Sequence, residues 1–497
     1  VTISATYLSP WTLPVPSQPA DTPSPASTLR RVALLLGPGL LVGAMLLPAP
    51  VGMSDTAWLC AALALWMALW WGTEAIAIPA TALLPLLFAP IIGLSPLKAV
   101  AAAYAHPIVF LFMGGFMLGL AMQRWQLHRR LALTILCRVG AEPRRQIAGF
   151  MVATAFLSMW VSNTATSVMM LPIAMSVIGL LPESLGAARR NYAIALLLAI
   201  AYSASIGGMA TLIGTPPNAL LAAYLQSSHG IEVGFAQWMG LALPLSLAML
   251  VICWRLLCRR DFSGVADYSN ADISRQALRE MGPITTAERR VAIVFCVAAA
   301  AWIGRPFAEQ LLPGLSDTGI ALAAALSLFV IRSGVPGSAL LDWKTTEKLP
   351  WGVLLLFGGG LALAALIGSS GLAEWIASRF EQLAALPLAL ILLLIVSVMI
   401  FLTELTSNTA TTAAFLPLLG ALAVAQGISP LLFCCAAALA ASCAFMMPVA
   451  TPPNAVIFGS GELEIRDMMR AGFALNLLGI ALVSLCSYGV ITLLWLA

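Results

Sequence analysis

The chain has 497 residues, of which 61% are hydrophobic and only 9% charged, whereas soluble domains carry about 25% charged residues; a water-soluble fold is excluded. The formal charge of +4 is small, and the Arg and Lys residues are spread over loops instead of forming one patch, which argues against a nucleic-acid partner. The apolar runs are continuous and rich in Leu and Ala, unlike the alternating strands of an outer-membrane barrel. An all-α polytopic membrane protein is expected, with about 11 transmembrane helices of roughly 20 residues each.

Residues 1–29 are rich in Pro, Ser and Thr. No basic start precedes a short apolar core there, so no cleavable signal is expected, and the composition predicts a disordered tail. A first half follows over 30–258. Arg30 and Arg31 precede its first span, and basic clusters follow at Arg124, Arg129, Arg130, Arg138, Arg144 and Arg145, then at Arg255, Arg259, Arg260, Arg275, Arg279, Arg289 and Arg290. The positive-inside rule places these segments in the cytoplasm. Residues 259–290, the longest polar stretch after the tail, are the expected cytoplasmic linker, and 291–497 form a second half. The nine cysteines sit mostly inside apolar runs without metal-ligand spacing, as small packing residues would. No cofactor is expected.

The two halves carry the same landmarks in the same order. Leu111-Phe112-Met113-Gly114-Gly115 answers to Leu356-Phe357-Gly358-Gly359-Gly360, Ser162-Asn163-Thr164 to Ser407-Asn408-Thr409, and Thr215-Pro216-Pro217-Asn218 to Thr451-Pro452-Pro453-Asn454. Gly114 and Gly358 are 244 residues apart, Asn163 and Asn408 245, and Asn218 and Asn454 236. After the first Gly-Gly element comes the Arg124–Arg145 cluster, whereas the matching segment 369–387 sets Arg379 against Glu374 and Glu381. The halves therefore read as inverted repeats, which in secondary transporters meet at a substrate site on interrupted helices.

Irregular backbone survives within lipid only where it is buried or lines a wet cavity. The Gly-Gly elements suggest re-entrant hairpins over 105–123 and 349–369, with close helix packing as the alternative. The Ser-Asn-Thr elements interrupt long apolar runs and predict broken helices at 162–164 and 407–409. The paired prolines, which remove backbone donors, predict further breaks at 214–218 and 450–454. A helix N-terminus carries unpaired N–H groups and about half a positive charge, so it can bind a carboxylate or sulfate without Arg. Substrate contacts are expected from Ser162, Asn163, Thr164, Thr215 and Pro216, and from Ser407, Asn408, Thr409, Thr451 and Pro452. Hydroxyls, amide oxygens and freed carbonyls suit an alkali cation, by analogy with other hard cations. One sodium ion is assigned to Ser158, Ser162, Asn163 and the Gly214 carbonyl, and a second to Thr403, Thr406, Asn408 and the Ala450 carbonyl. Glu74 and Glu404, ionisable groups in apolar surroundings, are functional candidates by default. His106, His128 and His229 adjoin loops and are expected to be solvated or interfacial.

These paired motifs, with Trp71-Gly72-Thr73-Glu74-Ala75-Ile76-Ala77-Ile78-Pro79, resemble the divalent anion/sodium symporter family from about Arg30 to Ala497. The resemblance implies a homodimer in a bacterial plasma membrane, each protomer with a scaffold domain and a transport domain that moves as an elevator. It implies sodium-coupled symport of a small dianion, most simply a C4-dicarboxylate such as succinate; a sodium-independent exchanger or a sulfate symporter is the alternative. An intramembrane enzyme would need a His-Glu-x-x-His or Gly-x-Ser-x-Gly arrangement. Neither pattern is present. A channel lined by carbonyl or charged rings is the other competing class.

Overall fold

The structure, a computed structural model, describes residues 25–140, 142–268, 272–308, 312–379 and 386–495. Most of the expected tail, residues 1–24, lies outside the described residues; a helix, Pro25–Leu46, takes in the last five of its positions. Among the described residues the regular elements are all helices, apart from one isolated bridge between Arg332 and Ala339. Eight helices are long and apolar enough to cross a membrane, and five apolar helices are shorter. The shorter ones include the pieces that build the centre of the molecule.

Helix Pro143–Ser158 runs alongside helix Ala187–Met209 in the same direction. Near its start Gln146 accepts a hydrogen bond from Tyr192 (2.6 Å), and near its end Ala155 lies against Gly207. The chain then turns, and helix Asn163–Gly179 starts beside Gly208. Its far end is joined to Ala187 by residues 180–186 alone, so it must run back the way it came. This is a re-entrant hairpin with Ser-Asn-Thr at its tip. The second half repeats it: helix Leu388–Thr403 ends where Thr403 meets the carbonyl of Ala441, the last residue of helix Pro430–Ala441. Helix Asn408–Ala425 leaves from that place and returns to within four residues of Pro430.

The hairpins are thus not where the Gly-Gly elements suggest. Residues 105–123 and 349–369 are occupied by uninterrupted helices, Pro107–Arg124 and Trp351–Ser369, because a missing side chain inside an apolar run forces no reversal. What it permits is close approach. A Cβ on Gly114 would fall 2.8 Å from the backbone of Ala321, and one on Gly358 or Gly359 would collide with Tyr104 or with the Ala82 carbonyl. Likewise, the Ser-Asn-Thr elements at 162–164 and 407–409 are hairpin tips instead of breaks in a continuing helix.

The true interruptions lie at 210–215 and 442–451. Each Pro-Pro pair marks the downstream edge, since Pro216 opens helix Pro216–His229 and Pro452 opens helix Pro452–Phe458. Proline is well placed in a first turn, where its missing N–H had no partner to lose. Helix Ala187–Met209 packs on Pro452–Phe458, and Pro216–His229 packs on Pro430–Ala441. The upstream piece of each broken helix lies beside the downstream piece of the other, so the two are antiparallel with their breaks level. Outer contacts agree with this inversion. Arg130 of the first basic cluster bonds Glu288 and the Gly282 carbonyl, whereas Arg379 bonds the Val51 carbonyl (3.2 Å), across helix Pro25–Leu46 from Arg30.

The described residues of the expected linker 259–290, 259–268 and 272–290, are structured. The linker contains helices Val265–Tyr268 and Asp272–Glu280, the latter packed on helix Leu127–Val139, and the long helix Thr286–Ala308 already begins inside it. His128 departs from the expectation of a solvated side chain: it is buried, with Nδ1 3.1 Å from the Met122 carbonyl, because it opens a helix whose apolar face turns inward.

Candidate functional site

Both hairpin tips and both breaks open onto one cavity of about 910 Å3. All ten residues expected to contact substrate line it: Ser162, Asn163, Thr164, Thr215 and Pro216 from one half, Ser407, Asn408, Thr409, Thr451 and Pro452 from the other. Gly214 and Ala450 line it too. The opposite wall comes from Gly72–Glu74, Ile78, Phe116, Pro350 and Val353. Glu74 is the one ionisable residue among these lining residues, and it holds a left-handed backbone conformation (φ 48°), which is strained for a residue with a Cβ.

Four helices begin at this cavity. Ser162 caps Asn163–Gly179 by accepting from the Ala165 N–H (3.2 Å), and Thr451 caps Pro452–Phe458 by accepting from the Asn454 N–H (3.3 Å). Thr215 and Ser407 stand at the other two starts without a side-chain cap bond; behind Ser407 this leaves first-turn N–H groups available, whereas behind Thr215 the first two residues are prolines without an N–H and the Asn218 N–H is taken by the Thr215 carbonyl (3.2 Å). Four helix ends, at Ser158, Met209, Thr403 and Ala441, face the same region with carbonyls outward. Each tip therefore presents a donor end and an acceptor end, whereas the downstream piece of each break opens on two prolines that carry no N–H.

Behind the cavity surface, oxygens crowd together. Ser158 Oγ, fully buried, lies 2.5 Å from Asn163 Oδ1 and 2.7 Å from the Ala204 carbonyl. Thr403 Oγ1, also fully buried, lies 2.7 Å from Asn408 Oδ1 and 3.0 Å from the Ala441 carbonyl. A hydroxyl has one proton, so each cluster of three oxygens has a single hydrogen to share, and such a donor-poor set suits a hard cation. Other expected ligands are engaged elsewhere: Thr406 Oγ1 bonds the Leu402 carbonyl and Thr411, and Ser162 serves its cap.

Sequence reasoning missed two parts of this machinery and, for a third, Glu404, which it named as a functional candidate, missed the partners. The Ala204 and Ala441 carbonyls are backbone groups that no residue type announces. Asn218 and Asn454 are staples: Asn218 Nδ2 donates to the carbonyls of Thr211 (2.8 Å), Met209 (3.2 Å) and Gly208 (3.4 Å), and Asn454 Nδ2 to those of Met447 (3.0 Å) and Ala444 (3.2 Å). Thr211 and Met447 both stand seven residues before their Asn, so the repeat, followed beyond the prolines, contained this signal. Finally, Glu404 is buried and accepts from consecutive backbone N–H groups of the second break.

A family model for the sodium:sulfate symporter transmembrane region matches residues 28–496. The chain is 41% identical over 475 residues to a sodium-dependent dicarboxylate transporter of Staphylococcus saprophyticus, covering 92% of this chain and 90% of that protein. It is 40% identical over 476 residues to the corresponding transporter of Staphylococcus aureus, covering 93% and 92%. Among solved structures, the Alcanivorax borkumensis YdaH transporter shares the fold, with a TM-score of 0.53 at 17% identity, covering 94% of this chain and 98% of that one. The chain is thus an integral, multi-pass membrane protein and a transporter in kind, not an enzyme: it belongs to the sodium:sulfate symporter family, the divalent anion/sodium symporters that its paired motifs resemble.

Proposed function

We propose that this protein is a secondary active carrier that moves a small dianion, a C4-dicarboxylate such as succinate, together with sodium ions. The carrying observation is the cavity's charge balance. Among the described residues no Arg or Lys lines it, its one ionisable lining residue is the acidic Glu74, and the N-termini of the two tip helices, Asn163–Gly179 and Asn408–Ala425, converge there, each worth about half a positive charge. Together they supply roughly one of the two charges of a dianion, and cations held in the two oxygen clusters supply the rest. Ser158, Asn163 and the Ala204 carbonyl are the first cation site, with Gly214; Thr403, Asn408 and the Ala441 carbonyl are the second, with Ala450. In a low-dielectric site the anion pocket is weak until those clusters fill, which makes the fluxes coupled. The named relatives, sodium-dependent dicarboxylate transporters, support the choice of ion and substrate.

The hairpins and broken helices, which pack on one another, form the moving body, and the wall from Gly72 to Ile78 belongs to the fixed one, in an elevator-type exchange within a homodimer at the plasma membrane. Uptake of labelled succinate into proteoliposomes tests the reading. An inward sodium gradient should drive accumulation, and replacing sodium with choline should abolish it. Undiminished uptake in choline would identify a sodium-independent exchanger, and conductance without counterflow a channel.

A further inference from the structure

The two halves differ in what ties each hairpin tip to the break beside it. Four residues before Asn163 stands Met159, whose backbone carbonyl accepts the hydroxyl of Thr211 in the first break (2.6 Å). Four residues before Asn408 stands Glu404, 3% exposed. Its Oε1 accepts from the N–H groups of Phe445 (2.7 Å) and Met446 (2.9 Å), and its Oε2 from those of Met446 (3.1 Å) and Met447 (3.0 Å). Asn476, fully buried on helix Ile465–Val490, donates to Oε1 as well (2.7 Å). Three successive N–H groups turned toward one anion form a nest. Every hydrogen-bond partner of this carboxylate is a donor, the set that fits the ionised, acceptor-only form.

We propose that Glu404 is the positioning residue of the second cation site. Its carboxylate fastens the Phe445–Met447 turn to the hairpin tip, holding Thr403 and Asn408 against the Ala441 carbonyl at cation-binding spacing. It also sets a full negative charge on the residue next to Thr403, while the matching residue next to Ser158 is the uncharged Met159. The two sites are therefore unequal: the second binds its ion first and more tightly. This inference rests on the sodium-coupled reading above.

The test is the sodium-activation curve of succinate uptake by the reconstituted full-length protein, read for wild type, Glu404→Gln, Glu404→Asp and Asn476→Ala. Loss of one charged, multiply hydrogen-bonded acceptor should raise the half-saturating sodium concentration of Glu404→Gln by at least about tenfold. The slope of its curve should change while the succinate KM at saturating sodium stays within about threefold of wild type, a split that a merely structural defect does not give. Glu404→Asp, which keeps the charge, should recover part of the shift. If Glu404→Gln does not assemble, Asn476→Ala decides: a rightward shift of its curve supports the assignment, and a wild-type curve overturns it. An unchanged curve in an active Glu404→Gln also overturns it. A wild type indifferent to sodium would sink the coupled reading itself, before any variant is compared.

Discussion

Gly208→Ala adds one methyl group and removes no ligand, which makes it a sharp probe of the first cation cluster. A Cβ at Gly208 would stand 2.6 Å from Asn163 Oδ1 and 2.9 Å from its Nδ2, and ordinary contact starts at 3.4 Å. Asn163 must therefore retreat by about 3.4 − 2.6 = 0.8 Å from its place beside Ser158. Displacements near 1 Å in a preorganised site cost on the order of a hundredfold. The half-saturating sodium concentration for succinate uptake should rise between about tenfold and a hundredfold. Stability should not fall through the helix itself, since Ala is favoured over Gly in a helix interior by roughly 0.5–1 kcal/mol. Ala444, the position matching Gly208 in the second break by its distance from the Asn of Thr-Pro-Pro-Asn, already carries a methyl group. The perturbation therefore falls on one site alone. Gly240→Ala, whose Cβ meets nothing within 4 Å, is the matched control. A wild-type sodium curve in Gly208→Ala, with intact protein, would refute the placement of Asn163 in a cation site.

Asn163→Ala and Asn408→Ala should each reduce sodium-driven uptake to background in proteoliposomes while the protein still elutes as the wild-type oligomer. Asn218→Leu and Asn454→Leu remove staples that satisfy two or more carbonyls apiece. At about 1 kcal/mol per bond, each should lose roughly 2 kcal/mol of stability, visible as a lower thermal midpoint, and uptake should fall with it. Gly359→Ala overfills a helix contact at Ala82, and none of the atoms its Cβ meets belongs to an oxygen cluster; it should destabilise by about 1–3 kcal/mol. The fraction of that variant that folds should keep the wild-type sodium midpoint, and a shifted midpoint would contradict a packing role for Gly359.

The repeat was legible because function needs it twice. Ser-Asn-Thr and Thr-Pro-Pro-Asn each recur in order, and all their expected contact residues line the one cavity. Prolines announced the breaks but not their extent: Pro216 and Pro452 start helices, and the irregular backbone lies upstream of them, where composition is ordinary. Gly-Gly was ambiguous by its nature. A glycine pair in an apolar run can turn a chain or admit a neighbour, and only the positions of Ala321, Tyr104 and Ala82 reveal the second use. Ser-Asn-Thr was read as a break in a continuing helix because the runs on both sides are apolar; the reversal follows from the short connectors at 180–186 and 426–429, a constraint of reach, not of residue type. The role of Glu404 was hidden because its partners are backbone N–H groups some forty residues away.

Sodium linkage of substrate binding tests the central claim most directly. Affinity of the purified protein for labelled succinate should be measured at equilibrium across a sodium series with choline holding ionic strength constant. If cations in the two oxygen clusters complete the anion site, affinity should rise by at least about tenfold from zero to saturating sodium, and succinate should tighten sodium binding by the same factor. An affinity for succinate that is flat across the series would contradict the account.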